Sequence, residues 1–292
     1  MTAAGIAWRV VALTFILLLC FAVAGGVLGL ANSGSAEAAG STFILLLVCF
    51  LEVAVLSHII LRSRWHGWRL MAAVFVVFYG VTTLMSQIES AVFITRLPPG
   101  TLPRLFAFGA LVGLPFSALS VLILGKRRPD ASHSPNQRLI MPAGEWTWKI
   151  AVLVVTYLIL YFTFGYFVAW RNPAVREYYG GRDPGSLLAQ MQTVLRDTPW
   201  LVPLQILRAI LWVLLALPVI RMLKGSTRET AFSVALLFGV VMNAQLLLPN
   251  PYMPEEVRMA HLVETATSNF LFGALVGWLL TERHEHPKVA IA

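Results

Sequence analysis

Charge is what this 292-residue chain has least of: Asp, Glu, Lys and Arg together supply 12% of it, against about 25% in an ordinary soluble domain. A water-solvated fold of this length needs charges to cover its surface, so the deficit excludes a chain bathed in water on all sides. Cysteine is almost missing too. Cys20 and Cys49 both fall inside apolar runs, which excludes a disulfide framework and a cysteine-based zinc site. The chain has no glycine-rich phosphate loop, so nucleotide chemistry has no support. No internal repeat relates its first half to its second.

What is present is hydrocarbon. Hydrophobic residues make up 58%, and an excess of that size has to face an apolar solvent. Eight stretches reach the roughly 20 residues that carry a helix across ~30 Å of bilayer. They lie at 9 to 30, 42 to 62, 70 to 94, 103 to 125, 147 to 170, 200 to 222, 229 to 248 and 260 to 281. Helix is the expected form, because open strands leave backbone groups unsatisfied in lipid. The predicted fold is therefore all-α: a polytopic bundle forming one integral membrane domain over 1 to 292.

The formal charge of +8 and pI of 9.9 do not point to nucleic acid, because the basic residues sit in short segments between apolar runs. Alternate ends of the spans differ. About twice as many Lys and Arg fall at the ends holding Arg9, Arg62, Arg64, Arg69, Lys126 to Arg128, Arg138, Lys149, Arg221, Lys224, Arg228, Arg283 and Lys288 as at the ends holding Arg96, Arg104, Arg171, Arg176, Arg182, Arg196 and Arg258. Both termini are expected to be cytoplasmic, in a cell membrane of the bacterial inner-membrane type. The first span resembles a secretory signal, with small residues at Ser35, Ala36, Ala38 and Ala39. Its apolar run continues through Leu30, longer than a signal core, so a retained helix is expected.

Three small-residue pairs, Gly25 with Gly29, Gly109 with Gly113 and Gly273 with Gly277, predict close helix packing within the chain. In the external segment from Arg171 to Pro199, Asn172 and Pro173 open a short helix that Gly180-Gly181 stops. Asp183 and Pro184 signal a second, with Leu187, Leu188, Met191, Val194 and Leu195 recurring at helical spacing. That face is expected on the membrane surface or over the bundle. The segment from Lys126 to Gly144 reads as a flexible connection.

An ionisable side chain in hydrocarbon needs a partner, water or a role, since its insertion costs about 2.5–3.5 kcal/mol. Glu89 falls about 10 Å below Arg96, Arg208 about 12 Å below Trp200 and Glu264 about 9 Å below Arg258, so three helices place charge in one outer-leaflet layer. Helical phase groups Tyr79, Thr82, Ser86 and Glu89; Gln205, Arg208 and Trp212; and His261, Glu264, Thr265 and Ser268. Asn243 and Gln245 reach the same depth. Glu52 near the middle of the second span and His58 nearer its cytoplasmic end stand apart.

These residues support three readings. The first is a site open to the outer leaflet for a lipid-like or anionic small molecule. There Arg208, Gln205, Ser86, Asn243, Gln245 and Ser268 bind, while Glu89, His261 and Glu264 are candidate catalytic or proton-transferring groups. The loop with Tyr178 and Tyr179 covers the entrance. The second is a secondary transporter, with Glu52 and His58 continuing a proton path, although no span is interrupted at midplane. The third is a noncatalytic assembly or sensor component whose polar layer sets helix register. Whether the protein is an enzyme stays open. Membrane lipids are the expected partners, and no cofactor or metal is expected, since Arg208 opposes a cation beside His261 and Glu264. Glu255-Glu256 with Arg258 and His261 is superficially similar to glutamic intramembrane proteases of the prenyl-protein type. The arginine spacing departs from that pattern and the later histidine-bearing helix is missing, so no such activity is carried over.

Overall fold

A computed structural model describes residues 2–30, 37–94, 97–128, 136–250 and 252–282, with the side chains of 37–40 excepted. Arg96, Arg283, Lys288, Ser35 and Ala36 lie outside the described residues, and the side chains of Ala38 and Ala39 with them. Among the described residues ten helical elements run in chain order: α1 (Ala3–Val27), α2 (Glu37–Leu61), α3 (Gly67–Phe93), α4 (Thr101–Ile123), α5 (Ala143–Ala169), α6 (Pro173–Tyr179), α7 (Leu187–Asp197), α8 (Leu201–Met222), α9 (Thr227–Leu247) and α10 (Glu255–Thr281). All but α6 and α7 are long and apolar enough to cross a membrane, which matches the eight expected spans. Among the described residues there is no strand, only isolated bridges at Ser63–Leu223 and Asn250–Met253.

All the spanning helices but α8 begin earlier than the apolar runs do, by six residues in α1 and five in α10. In α10 the added first turn is polar; in α1 it is the weakly apolar run Ala3 to Trp8, on the far side of Arg9 from the main apolar stretch. Thr2 caps α1 by accepting from the Gly5 amide, and Glu255 and Glu256 open α10 behind Pro254, where negative charge suits the helix dipole.

Side chains sort by the solvent they meet. Phe15, Leu19, Phe43, Leu114, Ile159, Leu207 and Val263 point outward from the spans, as lipid-facing residues do. Leu17, Val53, Val77, Phe116, Trp212 and Phe238 fill the core. The α9–α10 seam brings two backbones together: a Cβ on Gly273 would sit 2.9 Å from Ala235 Cα, and one on Gly277 2.6 Å from Ala231 Cα. Gly109 likewise backs onto Thr83 and Gly113 onto Phe75, between α4 and α3. The Gly25–Gly29 pair behaves differently. Gly29 lies beyond α1 at φ +64 with open space around it, so it ends a helix where packing was expected.

One end of the bundle is stitched together by its linkers. The Gly67 amide donates to Lys126 O (2.9 Å), the Lys224 amide to Arg62 O (2.9 Å) and Lys149 Nζ to Glu282 O (2.7 Å). Asn136 Nδ2 donates to Arg221 O (2.5 Å) and Arg138 Nη1 to Leu223 O (3.0 Å). The described part of the segment expected to be flexible is therefore anchored on the end of α8. Lys149, counted among the loop charges, is fully buried against Glu145 at 2.7 Å.

The opposite end carries α6 and α7. Asn172 accepts from the Ala174 amide and Gly180 ends α6 at φ +69, as expected. Asp183 does not cap α7. It accepts from the Gly185 amide in a turn, and Ser186 is the cap, three residues later than expected. No residue of α7 is buried, and Leu188 and Leu195 are exposed.

Three spans are locally widened into π turns, at Gly80–Leu84 in α3, Gly165–Ala169 in α5 and Leu237–Val241 in α9. The seventh span then closes through Met242 and Asn243 into a 3₁₀ turn, Ala244–Leu247, so it is not the uninterrupted helix its hydropathy suggests.

Candidate functional site

The π turns lie where the polar side chains are. An extra residue per turn leaves a backbone carbonyl without its usual donor, and such turns recur at functional sites. In α9, Asn243 Nδ2 supplies the missing donor to the carbonyls of Phe238 and Gly239, both at 3.0 Å. Gln245 Nε2 reaches across to α3, donating to Ser86 Oγ (2.6 Å) and Thr82 O (3.3 Å). Asn243, Gln245 and Ser86 are thus engaged with protein partners, and none of them lines the cavity described next.

That cavity, about 30 Å³, is enclosed by Glu89, Tyr157, Leu160, Tyr161, Arg208, Glu264, Thr265, Ser268 and Asn269. Its volume admits one or two waters. Four helices, α3, α5, α8 and α10, contribute to it, so the charges placed at one depth by helical rise do converge.

Two dyads organise the site. Arg208, 2% exposed, donates from Nη2 to Glu89 and from Nη1 to Gln205 Oε1 at 3.0 Å. Gln205 is fully buried one turn earlier on α8, so it fixes the guanidinium from its own helix. Glu89 is unlike its partner, with a third of its side chain exposed. In the second dyad His261 Nδ1 lies 2.7 Å from Glu264 Oε2, and its other nitrogen, Nε2, lies 3.0 Å from the Tyr179 hydroxyl. A neutral imidazole with its proton on Nδ1 donates to the carboxylate and accepts from the phenol, which holds the ring in one orientation. Glu264 also touches the π turn of α5, its Oε1 lying 3.4 Å from where a Cβ on Gly165 would stand.

Tyr179 arrives from outside the spans. Tyr178 donates to Tyr252 O at 2.6 Å, tying α6 to the α9–α10 connection. Gly181 packs flat on Trp170, whose ring lies 2.2 Å from any Cβ placed there. Burial pushes the Tyr179 phenol above its ordinary value, with Tyr178, Glu89 and Glu264 adding to the effect. It therefore stays a neutral donor at His261.

Three groups in this cavity are absent from the phase argument: Tyr157, Tyr161 and Asn269. The tyrosines stand one turn apart on α5, and two hydroxyls on one face of an apolar span are the signal that would have found them. Ser268 lines the cavity, and Thr265 ties α10 to α9 by donating to Asn243 Oδ1 at 2.6 Å. Arg258, expected in a loop, is buried within α10 and donates to Leu246 O at 2.7 Å.

Glu52 and His58 do not join this group. Glu52 is buried in α2, and its Oε2 has no hydrogen-bond partner among the described residues. His58 faces Glu229 at 4.0 Å at the stitched end, where Arg62 also holds that carboxylate. A larger recess of about 340 Å³, between Gly239 and Phe270, is lined almost wholly by apolar atoms and contains none of these charges. It lies on the α9–α10 seam, apart from the polar cavity.

No family model, no curated protein and no solved structure matches the chain.

Proposed function

We propose that this multi-pass membrane protein forms one integral membrane domain, with both termini cytoplasmic in a cell membrane. Its polar cavity lies toward the outer leaflet, where it binds an anionic or lipid-like small molecule and exchanges protons with it. One observation carries the reading: Arg208, almost wholly buried, shares a water-sized cavity with Glu264, whose other oxygen is held by His261. A guanidinium at that depth supplies the anion site, since it keeps its charge and directs planar donors at an oxyanion. The Glu264–His261–Tyr179 chain supplies a route for a proton between the cavity and the α6 end. A network serving only helix register needs neither the cavity nor a tyrosine from a separate helix.

The test is the cargo of the purified protein. Full-length wild type, Arg208→Ala and Glu264→Gln are extracted in mild detergent, and co-purifying lipids and organic acids are identified by mass spectrometry. An amphiphile retained by wild type and lost from both variants is the expected result. An unchanged profile in both rejects the reading.

Transport is the second reading, and Glu52 is the observation that favours it. A buried carboxylate with an unpartnered oxygen is a costly arrangement in a span, and ionisable groups there mark ion paths. Proton flux in proteoliposomes that disappears in Glu52→Gln supports this reading over the first.

A further inference from the structure

The Arg208 guanidinium is only half used on the edge that binds oxyanions. Nε and Nη2 form the side-on edge that matches the two oxygens of a carboxylate or phosphate. Glu89 takes Nη2, Gln205 takes Nη1 from the far side, and Nε is buried without a partner among the described residues. A resident ion pair built for stability alone would fill both positions, since an unmet buried donor is unfavourable. The two partners are also unequally held. Arg208 is 2% exposed and fastened by Gln205, whereas Glu89 is 33% exposed and receives no other hydrogen bond from the described side chains. The arginine is a fixed floor, and the carboxylate reaches onto it from the mouth.

The cavity that Arg208 lines, about 30 Å³, is too small for an oxyanion headgroup while Glu89 occupies the arginine. When that carboxylate swings outward, its own volume adds to the cavity. Tyr157 and Tyr161 line the same cavity, and their hydroxyls supply donors for further oxygens.

We propose that Glu89 is an internal stand-in for the ligand: an amphiphile bearing a carboxylate or phosphate head docks on the Nε/Nη2 edge of Arg208 by displacing it. This rests on the reading of Arg208 as an anion site and adds the class of headgroup and the competitor it must remove. Resident occupancy by Glu89 lowers apparent affinity by the fraction of time the edge is covered. Glu89→Gln, of the same shape and without charge, therefore binds more tightly.

Native mass spectrometry of the full-length protein in detergent tests this, with oleate and dioleoyl phosphatidylglycerol as probes and acetate and inorganic phosphate as bare-anion competitors. Glu89→Gln is expected to bind both amphiphiles about tenfold more tightly than wild type, and Arg208→Gln to bind neither. If acetate or phosphate displaces the amphiphile at equal concentration, the head alone is the ligand; if not, the acyl chain is part of it; both support the shared chemistry. Equal affinity in wild type and Glu89→Gln overturns the stand-in. In that case loss of binding in Arg208→Gln still leaves the anion site standing, and unchanged binding in both variants removes the two readings together. Should Arg208→Gln fail to fold, the Glu89→Gln comparison decides the stand-in alone.

Discussion

Arg208 is the residue on which the polar layer hangs, because it is the most deeply buried charge that lines the cavity. Removing it as Arg208→Ala leaves Gln205 and Glu89 without their donor. Breaking a fully buried pair costs about 3–5 kcal/mol, and Glu89 is a third exposed, so a loss of about 1–3 kcal/mol is expected. Thermal unfolding in detergent checks the value, and Glu89→Gln, which keeps a polar partner in place, should lose less. Tyr179 makes a prediction in pH. Burial raises its phenol above the ordinary value, so the stability linked to that proton is complete below about pH 10 and falls as pH climbs from there toward the raised folded value. The ultraviolet titration difference between wild type and Tyr179→Phe should accordingly show no ionisation of this residue near pH 10 in the folded protein. Residue identity in a span is legible when the residue is charged, which is why Glu89, Arg208 and Glu264 stood out. Tyr157 and Tyr161 did not, because tyrosine is equally at home in apolar packing and at interfaces, and only the cavity wall separates those roles.

At the scale of the helix, glycine gives opposite expectations in different places. Gly277→Ala pushes a methyl into the Ala231 backbone, where neither partner can yield, and overpacking of this kind costs about 1–3 kcal/mol. Gly26→Ala, in α1 with nothing within 4 Å, should instead stabilise by about 0.5–1 kcal/mol through helix propensity. Resistance to unfolding by sodium dodecyl sulfate ranks the two against wild type, and equal effects would contradict the packing argument. Apolar length made the existence of all eight spans legible, since few structures other than helix satisfy the backbone in lipid. The π turns were hidden because one added residue in a turn leaves hydropathy unchanged. In α9 their trace is Asn243, an amide in a span whose Nδ2 donates to carbonyls that an ordinary helix would have satisfied.

For the molecule as a whole, the basic residues gather at the stitched end and the short helices at the other, an asymmetry that predicts orientation. A membrane-impermeant maleimide applied to intact cells should label Gln192→Cys in α7 and spare Arg228→Cys, since Cys20 and Cys49 lie within the spans; labelling in the reverse pattern inverts the topology. Partner choice among helices was less legible than their number, because lipid supplies no hydrophobic force to pair one span with another. The glycine seam between α9 and α10 has a consequence for how the chain is made. α10 is the least apolar span, with a mean hydropathy of 1.2 against 2.7 for α1, and it emerges from the ribosome after α9. Its own partition into lipid is weak, yet Gly239, Gly273 and Gly277 let it lie backbone to backbone on α9, and Thr265 finds Asn243 there. The α9–α10 hairpin is therefore expected to partition into lipid as a pair, and a nascent chain halted before α10 would hold α9 with a bare groove where its other half belongs.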